Sequence, residues 1–429
     1  MMLTDWIHWL SCRHPEQLLA FLWALLLVDS PRYAFSKLFI CLWDLARGTW
    51  HWFRGTRSQE AFTYCPSVCT ILSAYNEEAT IEAALVSVCG SYPKLQIIVV
   101  TDGSTDQTPQ VARAFADKHP EVMVLHRSER GGKASAVNFA LNYAHAEVIV
   151  IMDTDSHLGP SALWEIVQPL RDPEVAAVSA SVLVRNPFFN LASWFQAYEY
   201  LQTIFVGRMV SAKAGILGVV SGAFGAFRRE TLDRSMGYDV GPDEDTDLTL
   251  FVRKTGFKVA FAPYAQCFTG APSNWYTLFK QRRRWDLGEI IRCYCRKHID
   301  LAYVWNRNFR FGNLICLMDS WFFRIFFQVG IWAWLIWFLV FLPADWGMIL
   351  LTLYLSYLLF EMIQVLTVFY FTLSLKRDIL VCAILPLVPF YQLFLFLIRS
   401  LALVEETFFR KSFDQDYVPA RVRQATWRW

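Results

Sequence analysis

Two carboxylates close an apolar run at Asp153-Thr154-Asp155, directly after residues 148–152. Hard divalent cations such as Mg²⁺ take oxygen ligands, usually one or two carboxylates together with substrate phosphates. A pair at the end of a buried strand can serve one metal and one sugar contact, and a solvated turn is the alternative. A second group, Glu244-Asp245-Thr246-Asp247, opens a helical pattern. One acid suffices to match the positive end of a helix, and four acids crowd residues 243–247. A carboxylate here, raised in pKa by desolvation, suits a general base. A third group, Gln281-Arg282-Arg283-Arg284-Trp285, reads in two ways. It is either a basic cluster against anionic lipid or an arginine and an indole placed for a diphosphate and a sugar.

Other chemistries are excluded by detail. No Gly-x-Gly-x-x-Gly follows a strand, so a dinucleotide cofactor has no support. Gly131-Gly132-Lys133-Ala134 departs from a P-loop, because Ala134 stands where a hydroxyl must reach Mg²⁺ and Arg127 replaces the first glycine. No Gly-x-Ser-x-Gly elbow is present. The 10 cysteines are scattered without the paired spacing of a zinc finger or a disulfide framework. A net charge of +2 gives no argument for nucleic acid. His157 reads as a solvated loop residue rather than a further metal ligand.

The elements that position these groups alternate. Strand-like runs at residues 68–73, 96–101, 122–125, 148–152, 176–183, 219–227 and 258–261 are separated by helical stretches at 79–88, 106–118, 133–145 and 161–170. Such alternation predicts a mostly parallel sheet covered by helices, with ligands at the carboxyl ends of the strands. Ser73-Ala74-Tyr75-Asn76-Glu77-Glu78 and Asp102-Gly103-Ser104 fall at those ends, and the run near Val219 leads into Ser221-Gly222.

The 429 residues are 55% hydrophobic and 18% charged, with 18 Trp and 35 Phe, against about 25% charged in a typical soluble chain. That balance excludes disorder and a simple soluble enzyme, and implies lipid contact. Residues 325–341 and 346–373 are each long enough for a bilayer core of about 30 Å, and read as a hairpin. Residues 379–398, with Pro386 and Pro389, either span with a kink or re-enter. Residues 17–28 are short for a span unless extended, and lack the features of a cleaved signal. Residues 33–57 suit an interfacial helix. Basic residues at 32–57 and Lys376-Arg377 place residues 58–300 on the cytoplasmic side of the inner (plasma) membrane. Glu361, inside a span, is read as facing a polar glycan channel beside Gln364.

Taken in order, Ser73–Glu78, Asp102-Gly103-Ser104, Gly132-Lys133, Asp153-Thr154-Asp155, Val220-Ser221-Gly222 with Ala226–Arg229, Glu244-Asp245 and Gln281–Trp285 resemble the membrane-embedded processive family 2 glycosyltransferases. These include cellulose, hyaluronan, chitin-oligosaccharide and poly-N-acetylglucosamine synthases. The likeness covers about residues 66–290 and is greater to the short poly-N-acetylglucosamine and chitin-oligosaccharide enzymes. Where many relatives have an acid before Pro, this chain reads Thr269-Gly270-Ala271-Pro272.

The resemblance implies a GT-A-type, Rossmann-like α/β domain at 58–300. It implies flanking membrane and interfacial helices at 1–57 and 301–405, and a basic tail at 406–429. It implies that Ser73, Tyr75, Glu77, Asp102, Lys133 and Asp153 bind the nucleotide-sugar, with Asp102 near the uracil, and that Asp155 holds Mg²⁺ or Mn²⁺. Asp245, with Glu244, would be catalytic. Gln281, Arg284, Trp285, Ser221 and Gly222 would meet the acceptor and diphosphate. The expected partners are a UDP-sugar, a growing polysaccharide, membrane lipid and secretion-complex subunits, with no nucleic acid. The expected activity is processive, inverting polymerisation of UDP-N-acetylglucosamine or UDP-glucose with export of the product. The alternatives are transfer of one sugar to a lipid and a silent scaffold.

Overall fold

The computed structural model describes residues 2–14, 16, 18, 29–46, 63–239, 241, 243–341, 345–414, 419 and 422. Most of the apolar run at 17–28, residues 47–57 and most of the basic tail lie outside that set. The chain divides into two compact units, residues 1–54 with 318–400, and residues 55–317 with 401–429.

The larger unit is built on one eight-stranded sheet in the order β3-β2-β1-β4-β7-β6-β8-β5. Its strands are β1 (Val68–Ala74), β2 (Leu95–Asp102), β3 (Val122–Arg127), β4 (Val148–Asp153), β5 (His157–Leu158), β6 (Val175–Val184), β7 (Phe224–Arg228) and β8 (Lys258–Thr269). β1, β2, β3 and β4 are parallel, because each return runs through a helix. β7 is antiparallel to both neighbours, which makes the sheet mixed. β1, β4 and β6 are almost wholly buried, as their unbroken β-branched and aliphatic runs require once both sheet faces are covered.

The run at 219–227 yields a strand only from Phe224. Residues 220–222 instead give their amides to side chains. Val220 donates to Thr249 Oγ1 (2.9 Å), Ser221 to Ser179 Oγ (3.2 Å) and Gly222 to Asp245 Oδ2 (3.1 Å). The ladder between β4 and β7 therefore ends at the Met152–Phe224 pair.

Among the described residues, three helices are long and apolar enough to cross a membrane: Phe311–Phe341, Trp346–Phe371 and Leu375–Phe409. The third carries a 3₁₀ turn at Leu385–Leu387, around Pro386, so the expected interruption is a break within a helix of spanning length. In the smaller unit the helix Asp29–Ala46 packs along Trp346–Phe371. Lys37 Nζ donates to Gln364 Oε1 (2.7 Å), and Gln364 Nε2 donates to Glu361 Oε1 (2.9 Å), all three side chains being buried. Glu361 does sit beside Gln364, but within this relay. Arg13 pairs with Asp345 at the hairpin tip.

Candidate active site

The carboxyl ends of β1, β2 and β4 lie side by side. The register aligns Ser73 with both Val100 and Asp153. Beyond β2, Asp102 is 2% exposed and its carboxylate accepts the amides of Gly131 (2.9 Å) and Gly132 (2.6 Å), with Arg127 3.3 Å away. Asp102 thereby fixes the turn that launches the helix Lys133–Leu141. Gly132 heads that helix at φ +86°, and Gly103 sits at φ +68° where a Cβ would fall 2.4 Å from the Arg130 amide nitrogen. Both positions therefore require glycine. Tyr75 is partly exposed and carries the Arg130 guanidinium 4.0 Å above its ring.

Lys133 enters the site from this helix. Its ammonium pairs with Asp153 and donates to the Gly222 carbonyl at 2.9 Å. Since the Gly222 amide donates to Asp245, one bonded path runs Asp153–Lys133–Gly222–Asp245. Four stretches separated by up to 112 positions in sequence thus meet. Ser221, buried next to Gly222, is held through Ser179 on β6.

Electrostatics tie further groups to this path. Burial and then the Asp153 charge push the Asp155 carboxyl up to about 6, against a hydrogen bond from Ser156, while Glu77 adds to the rise. Thr269 Oγ1 lies 3.4 Å from Asp155 Oδ1. Glu77 itself accepts from Thr80 Oγ1 at 2.6 Å. Asp243 precedes the helix Glu244–Lys254 in the left-handed region at φ 58°, without a side-chain bond to its first amides. Burial raises its acid well above the usual range, with Asp245, Glu289 and Glu244 adding to the rise. Glu244 is raised by burial first and by Asp245, while Lys133 and Arg284 act against the shift. Arg284 is thus within electrostatic reach of Asp243 and Glu244. Asp247, the fourth acid, faces a different task. It accepts from Lys297 and pairs with His298, each at 2.7 Å, tying its helix to the segment that follows Leu287.

Within the helix Trp275–Leu287, Arg282 forms a buried pair with Glu199 (2.9 Å) and covers the Trp285 ring at 4.2 Å, and Arg283 pairs with Glu405 (2.6 Å). Gln281 Oε1 is buried without a hydrogen-bond partner among the described residues. Sequence reasoning passed over Arg208. Its guanidinium donates to Ser179 Oγ at 3.2 Å and lies within electrostatic reach of Asp245 and Glu289. No motif marks Arg208 or Ser179; they are found through the Ser221 amide they support. His157 lies in β5, with a ring nitrogen 2.6 Å from Arg185.

Similarity to known proteins accords with this geometry. Residues 66–288 match the model of glycosyltransferase like family 2. Poly-β-1,6-N-acetyl-D-glucosamine synthase of Staphylococcus epidermidis is 29% identical over 222 residues, 51% of this chain and 53% of that protein. The Staphylococcus aureus (strain COL) protein of the same name is 28% identical over 221 residues, again 51% and 53%. The chain thus spans about half the length of the curated relatives it matches. The solved mannosyltransferase PcManGT from Pyrobaculum calidifontis, in complex with GDP-Man and Mn²⁺, aligns over 86% of this chain and 99% of that one, with TM-score 0.59 and 23% identity. It shares the GT-A fold. Because the family model covers more than half of its residues, the chain belongs to glycosyltransferase family 2.

Proposed function

We propose that the chain is a membrane-embedded, inverting β-glycosyltransferase that polymerises a UDP-sugar, UDP-N-acetylglucosamine or UDP-glucose, and passes the product across the membrane. The observation that carries this reading is the bonded path from Asp153 through Lys133 and Gly222 to Asp245. It sets a group suited to the donor sugar beside a carboxylate suited to the acceptor. The names of the staphylococcal relatives support a polysaccharide product. The three apolar helices support a path through lipid. The basic residues Lys376 and Arg377 favour a cytoplasmic catalytic unit.

The donor set fits a hard divalent cation, Mg²⁺ or Mn²⁺. Burial and then the Asp153 charge raise Asp155, and a cation held by Asp155 would offset both. When bound, such an ion neutralises charge gathering on the departing diphosphate. Asp245 takes the proton of the acceptor hydroxyl, whose oxygen forms a bond to the anomeric carbon on the face opposite the breaking bond to UDP. One displacement inverts that carbon. Glu244, raised in pKa, shares the acidic cluster with the base. Lys133, positioned through the turn that Asp102 fixes, orients Asp153 and the Gly222 strand end. Ser73, Tyr75 and Glu77 border the nucleotide. Arg284 faces the diphosphate, and Gln281, Trp285, Ser221 and Gly222 border the acceptor.

The test is product analysis on membranes carrying the full chain, given UDP-N-acetylglucosamine, UDP-glucose or UDP-glucuronate in turn. A long polymer with UDP release is expected, and Asp245→Asn should lower release at least about 100-fold, as for loss of a general base. A single glycolipid product would overturn polymerisation. UDP release unchanged in Asp245→Asn would overturn the role of that carboxylate, and no release with any donor would overturn the activity.

A further inference from the structure

A second group of potential ligands lies at the opposite rim of the sheet. Cys89 follows the helix Ile81–Val88 in the connection that enters β2, and His119 and Glu121 flank Pro120 in the connection that enters β3. β2 and β3 are parallel neighbours, so both connections sit at their amino-terminal ends, away from Asp102 and Asp153. There a Cys89 sulfur, a His119 ring nitrogen and a Glu121 carboxylate oxygen all lie within 4.8 Å of one another. His119 Nδ1 is 3.6 Å from Glu121 Oε1, and the Cys89 thiol hydrogen-bonds Glu121.

We propose that Cys89, His119 and Glu121 form a Zn²⁺ site whose fourth position opens to solvent. Tetrahedral zinc with one sulfur, one nitrogen and one oxygen ligand has ligand–ligand edges of roughly 3.3–3.6 Å, given its usual bond lengths. The His119–Glu121 separation of 3.6 Å already matches, and the sulfur lies within 4.8 Å of both other ligand atoms. The backbone under the group is tied down. The Cys89 amide bonds Leu85, the His119 amide bonds Ala116, and the Val122 amide returns to the His119 carbonyl at 2.9 Å. The buried Phe115 ring stacks on the imidazole at 4.3 Å and sets its plane. His119 and Glu121 side chains are 36% and 29% exposed, which leaves an approach for the ion and its water.

The donor chemistry selects the metal. A thiolate and an imidazole favour zinc over Mg²⁺ and Mn²⁺, which prefer oxygen. Occupancy here is thus independent of the ion proposed beside Asp155. A bound ion would clip the entry to β2 onto the entry to β3.

The experiment uses the full chain in detergent, stripped with a chelator and titrated with Co²⁺ as a spectroscopic probe. One equivalent should give a thiolate-to-cobalt charge-transfer band that Zn²⁺ displaces and excess Mg²⁺ does not. Cys89→Ser should remove the band, and His119→Ala and Glu121→Gln should each weaken Co²⁺ affinity at least tenfold. Unfolding curves of the metal-free variants check that each remains folded, and Glu121→Gln retains the test should a cysteine variant fail. The exposed pair Cys12 and His8, 3.8 Å apart, is the control. A band that survives Cys89→Ser, or that disappears with Cys12→Ser, overturns the proposal.

Discussion

Asp155 brings a pH dependence of two opposite signs. Its acid stands at about 6 because burial and then the Asp153 charge disfavour the carboxylate. In the metal-free protein this raised value lowers stability where the group is charged, so its contribution improves as pH falls through 6 toward the unfolded value near 4. A divalent ion binds the charged form, and the proton competes with it. The melting temperature gained on adding Mn²⁺ with UDP should therefore be full above pH 6. Below it, apparent metal affinity should fall by about tenfold per pH unit. Asp155→Asn should abolish both slopes. Thermal scans at pH 5, 6 and 7.5 decide this, and a Mn²⁺ effect that is flat with pH rejects it.

At the scale of elements, the helix Trp275–Leu287 is anchored by Arg282 against Glu199, with side chains only 6% and 13% exposed. Breaking a buried pair from one side costs about 3–5 kcal/mol, while removing both partners costs far less. Arg282→Met should destabilise the larger unit by about 3 kcal/mol, and adding Glu199→Gln should restore most of that loss in denaturant unfolding. Additive losses would show that the pair carries no coupling. The same helix shows what could be read in advance. β1 to β4 and their helices were legible because β-branched runs are bounded by turn residues. The Lys133, Asp153 and Asp245 motifs were legible because their residue types are chemically unusual at strand and helix ends. The run at 219–227 was overextended, since Val219 and Val220 look like strand residues while their amides are claimed by side chains distant in sequence. Arg208 and Ser179 were illegible for a related reason: Ser179 matters because it accepts the Ser221 amide, and Arg208 because it donates to Ser179. Asp102 was visible as an acid after a strand, but its grip on the Gly131 and Gly132 amides was not.

For the whole molecule, the smaller unit, with its helices apolar enough to cross a membrane, and the catalytic unit obey different rules about charge. In the smaller unit the Lys37–Gln364–Glu361 relay gives buried polar groups mutual partners, which a helix in lipid requires. Glu361→Leu should leave the Lys37 cation poorly matched and lower the yield of folded protein in detergent severalfold. Lys37→Met with Glu361→Leu should recover it. Synthesis retained by the double variant would show that a glycan path does not need this carboxylate. In the catalytic unit the eight strands form one sheet, and beyond Phe224 a single bond from the Asp153 amide to the Ala223 carbonyl (3.1 Å) precedes three amides, of residues 220–222, that turn to side chains instead. The length of this connection is therefore as consequential as its composition. One residue fewer would pull the Ser221 and Gly222 amides away from Ser179 and Asp245, and one more would loosen the hold of those side chains on them. Insertions by evolution or design should be absent from residues 220–223.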